Sequence, residues 1–142
     1  MTFYLVLPVF LYVIHVTYLG LRMFRQRIKA VSQGEMNGKF FKSYDEKFKV
    51  PQEIQILSRH FDNQFQIPML YFVTVLFALQ MQVTHWGMIL SAWIFLFSRL
   101  CHSYVHLGSN KVLLRAKSYF FGVIVLIIMW VQVLAGSWGD LQ

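Results

Sequence analysis

All thirteen Lys and Arg residues of this chain fall in two windows, residues 22–59 and 99–117, and the stretches 1–21, 60–98 and 118–142 carry none. Those three stretches are long and apolar. A bilayer core takes about 20 apolar residues per helix, and cytoplasmic loops collect Lys and Arg. The pattern predicts a chain threaded through a membrane, not one folded around a soluble core. Composition agrees, since 57% of the residues are hydrophobic and 13% charged, roughly half the charged share of a soluble domain. The net charge of +7 would permit nucleic-acid binding. A nucleic-acid-binding domain, however, has no reason to leave three such stretches free of cations, so that class is excluded. The single cysteine, Cys101, rules out an internal disulfide.

The spacing predicts an all-α integral membrane protein, a four-transmembrane-helix bundle with helices over about 3–24, 52–83, 87–107 and 112–136. The N-terminal MTFYLVLPVFLYVIHVTYLGLRMFR lacks a basic leading region and a small-residue cleavage site, and reads as a retained first span. A cytoplasmic loop over about 25–51 follows, within a polar segment, Arg22 to Glu53, that holds eight basic and four acidic residues. Pro51 offers a helix N1 position, and the second helix is expected to enter the hydrocarbon near Pro68. The short sequences THWG (84–87) and LGSNK (107–111) supply the remaining turns. The basic residues sit between spans one and two and between spans three and four. Both of those loops are therefore expected in the cytoplasm, with both termini on the non-cytoplasmic side. Trp86 and Trp138 suit an interfacial aromatic belt.

The segment SRHFDNQFQIP, residues 58–68, puts a dense polar set at the mouth of an apolar helix. Residues three or four apart share a helix face. Arg59, Asn63 and Gln66 are spaced i, i+4, i+7, and Arg99, His102 and His106 are spaced i, i+3, i+7. Arg115 and Tyr119 are one turn apart, and Arg22 and Arg25 close the first helix in the same way. All four sets fall at the cytoplasmic ends of their helices. Ionisable groups at membrane depth mark a functional site by default. A pocket of guanidinium, imidazole and amide groups suits an anionic ligand, because the Arg fork binds carboxylate in bidentate fashion.

Plainer readings stand beside this one. Arg near a helix end can snorkel to the interface without a ligand, and Arg59 can pair with Asp62. Asn63 and Gln66 can hydrogen-bond between helices. His15 and His85 stand apart from the stripes and are expected at the interface. His102 and His106 have the spacing of a helical metal site. Cys101, though, is turned about 100° away from them and no carboxylate lies nearby, so no metal is assigned. Ser98 and Ser103 lack the acidic partner that a nucleophilic triad requires.

The two stripes resemble the membrane-associated proteins in eicosanoid and glutathione metabolism, the MAPEG family. In that family the second helix carries Arg, Asn four residues on, Glu three beyond, then Pro. Arg59, Asn63 and Pro68 match, and Gln66 stands where Glu is usual. In FLFSRLCHSYVHLGSNKVLLRAKSYFFG, residues 95–122, Arg99, His102, the Leu107–Gly108 turn, Arg115 and Tyr119 match microsomal prostaglandin E synthase-like members. His106 replaces a Tyr and Ala116 a Ser. NQFQIPMLYF looks most like a form common in uncharacterised bacterial members, which implies a bacterial inner membrane.

The resemblance extends over residues 1–142 as one transmembrane domain. It implies a homotrimer surrounded by membrane lipids, with glutathione as co-substrate bound between subunits near the cytoplasmic face. Arg25, with Arg22 as the alternative from the first helix, and Arg59, Asn63, Gln66, Arg99, His102 and His106 would bind the tripeptide. Arg115 would stabilise its thiolate and Tyr119 would donate to the sulfur, while a lipophilic small-molecule substrate arrives from the bilayer. The implied activity is a glutathione-dependent transferase or peroxidase. The alternatives are a non-catalytic lipid- or amphiphile-binding scaffold of the same family, and a metal- or haem-binding membrane protein using His102 and His106.

Overall fold

A computed structural model of the chain describes residues 1–40 and 49–139. Residues 41–48 of the expected cytoplasmic loop lie outside them. The described residues are helical without a strand: α1 (Thr2–Ser32), α2 (Gln52–Asp62), a 3-10 turn (Asn63–Phe65), α3 (Ile67–Gln80), α4 (Trp86–Leu107) and α5 (Val112–Gly139).

Two elements depart from the expectation. The first helix does not stop near residue 24 but runs on to Ser32. The basic residues mark where lipid ends, whereas Arg, Gln, Lys and Ala are all good helix formers and carry the helix further. The helix expected over 52–83 is broken. A 3-10 turn follows Asp62, and Gln66 takes a non-helical conformation, φ −100° and ψ −111°. Pro68 explains the break. It has no N–H to give, and its ring would collide with the carbonyl of Gln64 in a continuous helix. Pro68, expected where the chain enters the hydrocarbon, therefore also re-aims the chain.

Helices α1, α4 and α5 are long and apolar enough to cross a membrane. At 1.5 Å per residue, α3 spans only about 21 Å, short of a hydrocarbon core of about 30 Å. Helix α4 is the hub. Half of its span is buried (50%), against 22% for α1 and 28% for α5. Tyr71 of α3 stacks on Phe95 of α4 with ring centroids 4.4 Å apart, and Tyr12 of α1 meets both rings edge-on. Met88, Ala92, Leu126 and Met129 continue this core toward the opposite end. Outward-facing residues such as Phe10, Leu76, Phe97, Ile127 and Val131 are exposed, as a lipid-facing surface requires.

Where apolar surface meets lipid, helices associate through close packing and hydrogen bonds. Pro8 leaves the Tyr4 carbonyl without its helical donor, and the Trp93 indole N–H of α4 bonds to that oxygen at 3.2 Å. Toward the other end, Gln132 donates to the Ser91 hydroxyl at 2.9 Å, joining α5 to α4. Gly122 lets the same two helices close further, since a β-carbon there would lie 2.9 Å from both Arg99 and Ser98. Beyond these spans, the end of α1 packs along α2 through Ala30 and Ile54, and Arg27 donates to Ser58 at 2.9 Å.

Candidate functional site

The broken second segment, the end of α4 and the start of α5 meet around one cavity of about 490 Å³, within the range of small-molecule sites. Arg59, Asp62, Asn63 and Gln66 line it from the segment around the 3-10 turn. His102 and His106 line it from α4, and Arg115, Ala116 and Tyr119 from α5. Seven residues expected at a site thus share one cavity: Arg59, Asn63, Gln66, His102, His106, Arg115 and Tyr119.

Two expected residues are placed elsewhere. Arg99 is 3% exposed and lies behind the cavity wall. Its guanidinium donates to the Ser118 carbonyl at 3.0 Å and sits 5.4 Å from the centre of the Tyr119 ring. It ties α4 to the α5 backbone and supports Tyr119 from behind. Arg25 is exposed on α1 and is not part of the lining.

Arg115 is positioned by two neighbours. Its guanidinium donates to the Asn110 amide oxygen at 3.0 Å and lies 3.5 Å from His106 Nε2. Asn110 can serve because it adopts a left-handed conformation, φ +48°, in which its N–H closes the end of α4 on the Val105 carbonyl. The turn LGSNK therefore does two things, ending α4 and fixing the arginine.

His102 is oriented by its neighbours. Its Nδ1 lies 3.2 Å from the Arg115 carbonyl, and a carbonyl only accepts, so Nδ1 carries the proton. Among the described residues its Nε2 has no hydrogen-bond partner. His60 and His106 complete a group of three imidazoles, with centroids 4.7 Å apart for His60 and His106 and 5.7 Å for each of them with His102. Among the described residues, no three His, Cys, Asp or Glu side chains are arranged to hold a metal ion.

Behind this wall runs a buried polar chain that the stripes did not reveal. Tyr12 donates to Gln64 Oε1 at 2.6 Å, and the Gln64 amide N donates to the His60 carbonyl at 2.8 Å. The same amide N lies 3.3 Å from His60 Nε2, which makes that nitrogen an acceptor. The Ser103 hydroxyl, 2.9 Å away, therefore donates to His60 and accepts from His15 Nε2–H at 2.8 Å. His15, expected at the interface, is instead a link between α1 and α4. His85 caps α4 by accepting from the Met88 N–H. His15 and Ser103 are 88 residues apart, and no local spacing could have joined them.

A model of the MAPEG family matches residues 5–135 of the chain. No curated protein matches it significantly, and no solved structure does.

Proposed function

The chain belongs to the MAPEG family, and from that premise we propose that it is a membrane-embedded glutathione-dependent transferase or peroxidase acting on lipophilic electrophiles. Family membership and three membrane-capable helices make it a membrane protein of the glutathione and eicosanoid metabolism type. The observation that carries the finer reading is the shared cavity. Arg59, Asn63 and Gln66 face it from one side, and His102, His106, Arg115 and Tyr119 face it from the other.

The chemistry follows from the side chains. A guanidinium beside a thiol favours the thiolate, which is the nucleophile. Arg115, held by Asn110, supplies that charge, and Tyr119 offers a hydroxyl one helical turn further along α5. In a transferase step the S–H proton leaves, and the thiolate pair forms the S–C bond as the electrophile's leaving group departs. In a peroxidase step the thiolate attacks the peroxide O–O bond and the S–H proton is returned, giving an alcohol and a sulfenic acid that a second glutathione converts to disulfide and water.

On this reading the 3-10 turn and α3 together make the fourth crossing, with both termini outside a bacterial inner membrane. Three copies assemble so that Arg25, exposed on α1, reaches a neighbouring cavity. Protein reconstituted in vesicles is expected to consume glutathione when given a lipophilic electrophile, and the consumption is to be followed as loss of free thiol. Binding of amphiphiles with no thiol loss above the protein-free rate would sink the enzyme reading and favour the scaffold.

A further inference from the structure

The cavity contains one carboxylate that the site chemistry has not used. Asp62 lines the cavity together with Arg59 and Arg115. It ends α2 in a helical conformation, φ −60° and ψ −36°, and its side chain makes no capping hydrogen bond to the 3-10 turn that follows. Arg59, three residues earlier, is the natural ion-pair partner on a helix. Among the described residues, however, Asp62 makes neither a hydrogen bond nor an ion pair. An exposed acid with no partner among the described residues, the one carboxylate of a cavity that also holds Arg59 and Arg115, is complementary to a ligand that carries a cation of its own.

Resting on the glutathione reading, we propose that Asp62 binds the α-ammonium of the γ-glutamyl group, the charge that Gln66 cannot match. Gln66 lines the same cavity and, being neutral, can offer an ammonium only an amide oxygen. Asp62 supplies a full charge four residues earlier. The cavity then presents Arg115 to the thiolate, Arg59 to the ligand's carboxylates and Asp62 to its single cation. The site then selects an amino-bearing γ-glutamyl thiol over a purely anionic one.

The test compares two ligands on two proteins by calorimetry in detergent. The ligands are glutathione and glutaryl-cysteinyl-glycine, which is glutathione without its amino group. The proteins are the wild type and Asp62→Asn. The wild type is expected to bind glutathione at least about tenfold more tightly, as a charge-assisted hydrogen bond allows. In Asp62→Asn that preference should fall to about one, and Gln66→Glu added to it should restore the preference. Asp62 makes no hydrogen bond or ion pair among the described residues, so the thermal midpoint should not move. Equal wild-type affinity for the two ligands overturns the assignment while leaving the site in place. So does an Asp62→Asn protein that keeps the wild-type preference or weakens both ligands equally. No binding of either ligand to the wild type would overturn this assignment and the glutathione reading together.

Discussion

Arg115→Ala is expected to remove the ultraviolet thiolate signal that glutathione develops on the wild-type protein. A free thiol ionises near pH 8.5, and an adjacent cation lowers that by about one unit or more. Losing the cation should therefore cut the thiolate fraction at neutral pH about tenfold. The effect is local to chemistry, because Arg115 contributes little else to the fold. Its guanidinium bonds the Asn110 amide at the turn and approaches His106, while the helix around it is held by His102 and Ser118 through the Arg115 carbonyl. That carbonyl survives the substitution. Arg115→Lys should recover part of the signal, since the charge remains but the planar fork that engages Asn110 is gone. Titration by absorbance over a pH series reads all three proteins, and an unchanged signal in Arg115→Ala would remove this residue from the mechanism.

Phe95→Ala is expected to have the largest effect on stability. Phe95 is fully buried (0% exposed), stacked on Tyr71 at 4.4 Å and met edge-on by Tyr12. The Arg99 guanidinium lies 5.7 Å from the centre of its ring. Truncation leaves a cavity at the junction of α1, α3 and α4 and costs about 3–5 kcal/mol. In a chain of this size that is a fall of roughly 10 °C in the thermal midpoint, measurable by tryptophan fluorescence in detergent. The loss should also reach the site. Arg99 rests between Phe95 and Tyr119, so removing one ring frees the support of the other. A midpoint within a degree or two of wild type would show that this ring junction does not hold the bundle.

The cavity was legible in the sequence to the extent that it is built from helix periodicity. Arg59, Asn63 and Gln66, and likewise His102 with His106 and Arg115 with Tyr119, stand at spacings that share a face. Their common position at the basic ends of apolar segments fixes their common depth. Periodicity assigns a face but not a reach. Arg99 stands on the stripe of His102 and His106, yet its long side chain turns to the carbonyls of α5 and leaves the cavity. Residues 59–66 also keep their expected neighbours by a different route, since the chain leaves the α-helix at Asn63 and resumes it at Ile67. Pro68 carried that signal, but a proline near a helix start is equally a normal N-terminal residue. The chain from Tyr12 through Gln64, His60 and Ser103 to His15 was beyond reach for another reason. Apart from the local Gln64–His60 contact, its links join residues 43 to 88 positions apart, and only tertiary packing decides that they meet.

The central claim is that the cavity bounded by Arg59 and Arg115 is a glutathione site. Calorimetric titration of reduced glutathione into the detergent-purified wild-type protein tests it most directly. Saturable heat approaching one equivalent per chain is the predicted result. No heat at millimolar glutathione, from protein that unfolds cooperatively, would contradict it.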